Sequence, residues 1–298
     1  GVLPLERDKS AAFIGKFAQK PRFQGGGSSP INSCKITGAL AAAGQLPEIT
    51  SDITYAQGYD TAEDRTDPAL LAEAVKAAEE ADVAVIFAGL PDAFESEGYD
   101  RSHMQMPECQ NELIREILRV QKNTVVVLHN GSPVEMPWAG DVNAILESYL
   151  CGQAVGAAQV RLLFGLANPC GKLAETIPLK LQDNPSYLNF PGDGQTVEYK
   201  EGVFVGYRYY DTKEMDVRFP FGHGLSYTTF QYSDMQLSRG QLSDRDTLTV
   251  SLKVKNTGTV AGKEIVQLYV ADRTGAANRP VKELKNFTKV FLEPGQEK

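Results

Sequence analysis

Two stretches of the chain leave little freedom in what it can fold into. Asp82-Val83-Ala84-Val85-Ile86-Phe87-Ala88-Gly89 and Thr124-Val125-Val126-Val127-Leu128-His129 run apolar from Val83 to Ala88 and from Val125 to Leu128, with no polar residue in alternation. A strand with one face in water alternates apolar and polar side chains. An unbroken run must be covered on both faces, as in a parallel sheet held between helix layers. The segment between the runs supplies a covering helix, because Pro107-Glu108 opens a stretch in which Leu113, Ile114, Ile117 and Leu118 recur at helical spacing. Asp67-Pro68 opens another, with Asp at the cap, Pro at the first helical position and Leu70, Leu71, Ala74, Val75 and Ala78 on one face. Residues 11–15 add a first strand, 144–149 a fourth, and 153–163 a third helix rich in small residues and ending near Gly165. The expected fold class is α/β, a layered α/β sandwich with a mainly parallel sheet.

After about Pro178 the character of the sequence changes. Asp183-Asn184-Pro185, Pro191-Gly192-Asp193-Gly194 and many tyrosines read as an extended linker folded over a surface, without helical periodicity. From Phe230 the pattern alternates: Leu248-Thr249-Val250-Ser251-Leu252-Lys253-Val254, the turn Asn256-Thr257-Gly258, then Ile265-Val266-Gln267-Leu268-Tyr269-Val270. Strands joined by short turns without helices predict an all-β sandwich of immunoglobulin-like type. Such sandwiches hold about seven strands and the sequence offers four or five, so this one is expected to be incomplete. The expected division is an α/β domain over 1–178, a linker over 179–229 and a β-sandwich over 230–298.

Composition removes several classes of function. With 38 acidic against 30 basic residues the net charge is −8, a field that repels phosphate backbones and anionic lipid, so neither nucleic acid nor membrane is an expected partner. No apolar run approaches a membrane span, and no basic segment followed by an apolar one marks a signal peptide. Cys34, Cys109, Cys151 and Cys170 form no Cys-x-x-Cys pair and have no matching His-x3-His. No metal and no cofactor is therefore expected, and the unclustered thiols read as those of a reduced, cytoplasmic protein, with secretion left open. A homodimer is also left open.

In open α/β sheets ligands bind beyond the carboxyl ends of the strands, which makes the loops after each strand the places to look. After the first strand comes Arg22-Phe23-Gln24-Gly25-Gly26-Gly27-Ser28-Ser29. Its glycines lack the spacing of a phosphate-binding loop, so it is either a flexible turn or a place where a ligand reaches the main chain. After the strand ending at Gly89 comes Phe94-Glu95-Ser96-Glu97-Gly98-Tyr99-Asp100-Arg101, three carboxylates and an arginine in eight residues. A carboxyl group crowded by others can hold its proton near neutral pH, as a general acid must, whereas a solvated acidic loop with an Asp–Arg ion pair needs no function at all. Both readings stay open on the residues alone. His129 reads as a structural histidine, His223 as a turn residue, and Ser132 lacks the Gly-x-Ser-x-Gly elbow of a serine hydrolase. Tyr207-Arg208-Tyr209-Tyr210 reads as aromatic glue between linker and domain rather than a sugar platform.

Six segments in order resemble glycoside hydrolase family 3. They are Arg22-Phe23-Gln24-Gly25-Gly26-Gly27-Ser28, Glu95-Ser96-Glu97-Gly98-Tyr99-Asp100-Arg101, Val134-Glu135-Met136-Pro137-Trp138, Asn168-Pro169-Cys170-Gly171-Lys172-Leu173, Glu201-Gly202 with Val205-Gly206-Tyr207-Arg208-Tyr209-Tyr210-Asp211, and Phe219-Pro220-Phe221-Gly222-His223-Gly224-Leu225-Ser226-Tyr227-Thr228. The resemblance implies a (β/α)8 barrel followed by an α/β sandwich and a fibronectin-III-like domain, of which this chain is similar to the last two. Gly1-Val2-Leu3-Pro4-Leu5 resembles the segment leaving the barrel, so the barrel is the expected missing partner. By the same resemblance the chain is the C-terminal portion of a retaining β-glycosidase, with a β-glucosidase as the leading expectation and a β-glucoside or oligosaccharide as substrate. Retaining enzymes use two carboxyl groups about 5–5.5 Å apart. The family's nucleophile is an Asp of the barrel, which no segment here matches, and the acid/base falls on Glu97, with Glu95 as runner-up. Arg22, Gly27 and Ser28 are implied in substrate binding, and 219–228 in structure. The fragment alone is expected to be inactive. The alternative is a non-catalytic carbohydrate-binding or interaction module.

Overall fold

The structure is a computed structural model describing residues 1–298, which divide into two compact units: Gly1–Ala167 with Ile177–Phe190, and Asn168–Thr176 with Pro191–Lys298.

The first unit is built on five strands, β1 (Ala11–Ile14), β2 (Ile53–Ala56), β3 (Val83–Gly89), β4 (Thr124–His129) and β5 (Ala144–Glu147), in the order β2-β1-β3-β4-β5. All pairings are parallel. Strands β1, β3 and β4 are buried along their whole length, as their unbroken apolar runs require. The helices are α1 (Lys16–Gln19), α2 (Ala39–Ala43), α3 (Pro68–Glu80), α4 (Glu108–Val120) and α5 (Val155–Leu163). α3 packs against α4, while α2 packs against α1 and α5. The chain steps one way across the sheet from β1 to β2 and the other way from β2 to β3, so right-handed crossovers put these two groups on opposite faces.

Local chemistry accounts for the helix starts. Asp67 caps α3 by accepting from the Ala69 and Leu70 amides at 2.8 and 3.2 Å, with Pro68 at the first position. α4 starts at Pro107 without a cap of its own, and the Asp64 carboxylate supplies one by accepting from the Glu108 and Cys109 amides at 3.0 and 2.9 Å. β3 ends at Gly89 with φ +142°, where a Cβ would stand 2.1 Å from the His129 carbonyl oxygen, so only glycine lets β3 turn out beside β4. The single tryptophan, Trp138, is buried and donates to the Asn111 side chain at 3.1 Å, which makes it a fluorescent reporter of this unit alone.

The sequence signals gave no account of β2, α1 or α2. β2 is an edge strand of four residues with mixed burial, and α2 is five residues of alanine and leucine without polar positions to define a period.

The second unit holds α6 (Tyr207–Lys213) and two antiparallel pairs, β6 (Phe230–Leu237) with β7 (Val250–Asn256), and β8 (Gly262–Val270) with β9 (Glu283–Leu292). Buried Asn256 ties the pairs together. Its amide donates to the carbonyls of Val260 and Leu292 at 2.9 and 3.1 Å, and its oxygen accepts from the Thr228 hydroxyl at 2.6 Å. The expectation that helical structure ends at about 178 needs correction, because the tyrosine run forms α6. Seven residues are too few for a periodic signal. The ring of Tyr207 stacks on Phe221 at 4.6 Å, its hydroxyl accepts from the Leu284 amide at 2.7 Å, and Tyr210 is buried, so these rings serve packing. The strip 168–176 joins this unit through bonds to the Phe-Gly-His-Gly segment: Leu173 N donates to His223 O, Gly222 N to Leu173 O, and Lys172 Nζ to Gly224 O, at 2.8, 2.8 and 2.7 Å. Two of the six segments that carry the resemblance are thus each other's structural partners.

Candidate functional site

The sheet order reverses direction between β1 and β3, and the loops leaving the carboxyl ends of these two strands and of β4 meet at that point. The first brings Arg22 and the glycine run, the second Glu95 to Arg101, the third Gly131 and Ser132. Strand register fixes their level, since Ile14 pairs with Ile86 and Gly89 with His129. Between the first two loops lies an open groove of about 490 Å³, with Arg22, Gln24, Gly25, Gly26, Pro91 and Asp92 among its walls.

The two glutamates of the acidic loop end in different surroundings. Glu95 turns inward, its side chain 17% exposed. It accepts from Arg22 Nη1 at 2.6 Å, from the Gly131 amide at 2.8 Å and from the Ser132 hydroxyl. Burial pushes its carboxyl up, but the Ser132 hydroxyl, Arg22 and the Gly131 N–H outweigh it and hold the group below its ordinary value. It is ionised and committed. Arg22 is equally committed: Nε donates to Asp92 at 3.0 Å, Nη1 also to Leu90 O at 3.1 Å, and Nη2 to Glu95 O at 3.1 Å. Arg101 approaches from the far end of the loop and donates to Ser132 Oγ and Pro133 O at 2.9 and 3.0 Å.

Glu97 points the other way. An isolated bridge between Ser96 and Tyr99 folds the loop back, and Glu97 stands exposed at its tip. It accepts from the Ser28 amide at 2.5 Å through Oε2, and from the Ser28 hydroxyl at 3.1 and 3.0 Å on its two oxygens. These bonds, the amide first and then the hydroxyl, lower its pKa against a small opposing effect of burial. The glycine run proves to be a seat for this loop. Gly27 has φ +76°, and a Cβ there would fall 1.9 Å from Glu97 Oε2 and 2.4 Å from Glu97 Cβ; at Gly26 it would meet Ser96 Oγ at 2.8 Å. What approaches the bare main chain is the acidic loop of the same unit.

His129, fully buried at the end of β4, supports the floor. Nδ1 lies 3.1 Å from the Arg22 carbonyl and Nε2 2.9 Å from Gln159 Nε2, which assigns the Nδ1–H tautomer, donating to Arg22 and accepting from Gln159. Burial drives its pKa down to about 4, against the bond to the Arg22 carbonyl. The folded value lies below the ordinary 6.5, so this histidine contributes stability above pH 6.5 that is lost as the pH falls toward 4. The loss should reach about 3 kcal/mol. Urea midpoints followed by Trp138 fluorescence will show it as the difference between the parent and His129→Gln, whose curves should converge as the medium is acidified. Equal pH dependence in the two proteins would show that His129 does not titrate in this way.

Of the expected site residues, the structure brings together Arg22 with Glu95, and Gly27 and Ser28 with Glu97. Ser132 is a partner to Glu95 that motif reasoning set aside because it asked only whether the serine was a nucleophile. Its place directly after β4 was the signal available. His223 lies against Phe219 in the second unit, ring centroids 5.3 Å apart. Among the described residues no three His, Cys, Asp or Glu side chains are grouped as a metal ion would need, all four cysteines are free, and no helix is long and apolar enough to cross a membrane.

Residues 1–227 match the Glycosyl hydrolase family 3 C-terminal domain and 264–298 a Fibronectin type III-like domain. The chain belongs to glycosyl hydrolase family 3, of which it represents the C-terminal portion. It is 56% identical to thermostable beta-glucosidase B of Acetivibrio thermocellus over 297 residues, all of this chain and 39% of that protein. It is 45% identical to an exo-alpha-(1->6)-L-arabinopyranosidase of Bifidobacterium breve, covering 99% of this chain and 38% of that one. The crystal structure of a Bifidobacterium adolescentis GH3 beta-glucosidase superposes with a TM-score of 0.94 at 45% identity, covering all of this chain and 43% of that one. The chain thus spans about two fifths of the length of these relatives.

Proposed function

We propose that this chain supplies the acid/base carboxylate, Glu97, to a retaining β-glucosidase whose nucleophile stands on an N-terminal (β/α)8 barrel. The observation that carries the reading is the opposite placement of the two motif glutamates. Glu95 is tied to Arg22, Gly131 and Ser132, whereas Glu97 is exposed at the loop tip with Ser28 alone donating to it. In the first step of a retaining mechanism an acid protonates the departing glycosidic oxygen while the nucleophile attacks, and in the second the resulting carboxylate deprotonates the water that frees the sugar. As it stands Glu97 is ionised, ready for the second step. The first requires a drier setting that raises its pKa, which substrate and barrel together would provide. Gly27 and Ser28 then lie at the rim of the sugar pocket, and Arg22 acts by positioning the loop. A glucoside is favoured by the beta-glucosidases among the relatives, and the free thiols favour a reducing compartment such as the cytoplasm.

The test compares the chain alone with the chain joined to an N-terminal domain of the relatives' kind, on an aryl β-glucoside. The chain alone should release no aryl alcohol, and the joined protein should release glucose with retained anomeric configuration, read by proton NMR. Hydrolysis by the chain alone would overturn the division of the two carboxylates. Tight calorimetric binding of glucose to the chain alone would favour a non-catalytic carbohydrate-binding module, since half a pocket binds poorly.

A further inference from the structure

We propose that Ser28 is a positioning residue for Glu97, its hydroxyl holding the carboxyl group in place in both protonation states while Gly27 keeps the seat open. The proposal rests on the reading of Glu97 as acid/base. An acid/base residue must present the same oxygen to the same place twice, once as a neutral acid and once as an anion. Long glutamate side chains in water do not stay put, because holding one costs rotamer entropy. A backbone N–H can hold the carbonyl oxygen of the neutral acid as it holds the anion, but it cannot adapt if the proton comes to sit on the oxygen it faces. A hydroxyl can reverse: it donates to a carboxylate and accepts from a carboxylic acid. Ser28 offers one of each kind. Its amide reaches Oε2 at 2.5 Å, and its hydroxyl lies 3.1 and 3.0 Å from Oε1 and Oε2, close enough to follow the proton to either oxygen.

The seat is built for this contact. Gly27 adopts φ +76°, and any side chain there would occupy the space of the Glu97 carboxylate. Both loops are anchored apart from the contact, the first by Arg22 and the second by Glu95 through their mutual ion pair at 2.6 Å. Ser28 and Glu97 therefore meet because of where their loops are fixed, and the contact is free to act on chemistry without holding the fold.

The experiment uses the joined protein and a series of aryl β-glucosides whose leaving groups run from 2,4-dinitrophenol to phenol. A dinitrophenolate departs without a proton and phenol needs one, so loss of acid assistance shows as a loss of kcat/KM that grows along the series. Ser28→Ala is expected to cost about tenfold or more on the phenyl substrate relative to whatever it costs on the dinitrophenyl substrate, part of the 10²–10⁴ that a general acid supplies. The alkaline limb of kcat/KM should also move to higher pH, because a donor to the ionised form has gone. Ser28→Thr, which keeps the hydroxyl, should restore both. Gly27→Ala, whose methyl displaces the carboxylate, should show the same selectivity. Equal losses by Ser28→Ala on both substrates, or none on either, would overturn the proposal, provided Glu97→Ala shows the graded loss. If Glu97→Ala lacks that grading, the acid/base reading itself falls and the proposal with it.

Discussion

Glu97→Ala in the joined protein is expected to lower kcat/KM on phenyl β-glucoside by about 10²–10⁴, the range that a positioned proton donor contributes. The loss should be far smaller on a dinitrophenyl glucoside. Hydrolysis of the glycosyl-enzyme then becomes slow for every substrate, since no base remains to take the proton from water. Azide needs no deprotonation and is small enough for the space the side chain leaves. It should restore turnover by attacking the anomeric carbon, displacing the nucleophile's carboxylate and giving a glucosyl azide of retained configuration. Glu95→Ala will behave differently: its loss should fall on stability and on all substrates alike. An enzyme indifferent to Glu97→Ala, or one in which azide rescues Glu95→Ala instead, would move the assignment off Glu97.

The second large effect is structural. Arg22 has a side chain 4% exposed, and its partner Glu95 is 17% exposed. Removing one member of a buried, hydrogen-bonded ion pair leaves the other's charge without compensation, at a cost of about 3–5 kcal/mol. Arg22→Ala should fall near 3 kcal/mol, the lower end, because Glu95 keeps the Gly131 amide and the Ser132 hydroxyl. The contact with Asp92 adds little, as that carboxylate is 85% exposed. Urea unfolding followed by Trp138 fluorescence gives the measurement. The double variant Arg22→Met with Glu95→Met should recover part of the loss, since the pair's two charges go together while the Leu90 carbonyl, the Gly131 amide and Arg101 each lose a partner. A double variant as unstable as the single one would show that packing, and not the pair, sets the cost.

The parallel sheet was legible because burial on both faces writes itself as an unbroken apolar run. β3 and β4 could be read from Val83 to Ala88 and from Val125 to Leu128, and α3 announced itself through Asp67-Pro68. β2 and α6 were not legible: β2 is an edge strand of mixed burial with no unbroken apolar run to mark it, and the seven residues of α6 hold too little pattern to show a helical period. The site was half legible. Sheet topology says which loops meet, so Arg22 and the acidic loop could be picked out, and the resemblance singled out Glu97. Which glutamate faces the arginine is decided by contacts of Glu95 with Gly131 and Ser132, from a third loop, and no spacing along the chain records those. The glycine run read as an opening for a ligand or as slack. It is also shaped to the side chains of Ser96 and Glu97, a complementarity visible only once both loops are placed.

The pairing of β1 directly with β3 has a practical corollary. Hydrogen-bonded neighbours in a sheet stand about 4.8 Å apart, so the register of Ile14 with Ile86 sets where the two loops start and the Arg22–Glu95 pair joins them further out. The sheet works as a ruler for the carboxylate and its serine, which makes them transplantable. Grafted together, with Arg22 and Glu95 included, onto another sheet of the same strand order, the two loops should carry Glu97 and Ser28 in contact as a single cassette, whereas either loop moved by itself would arrive without its counterpart.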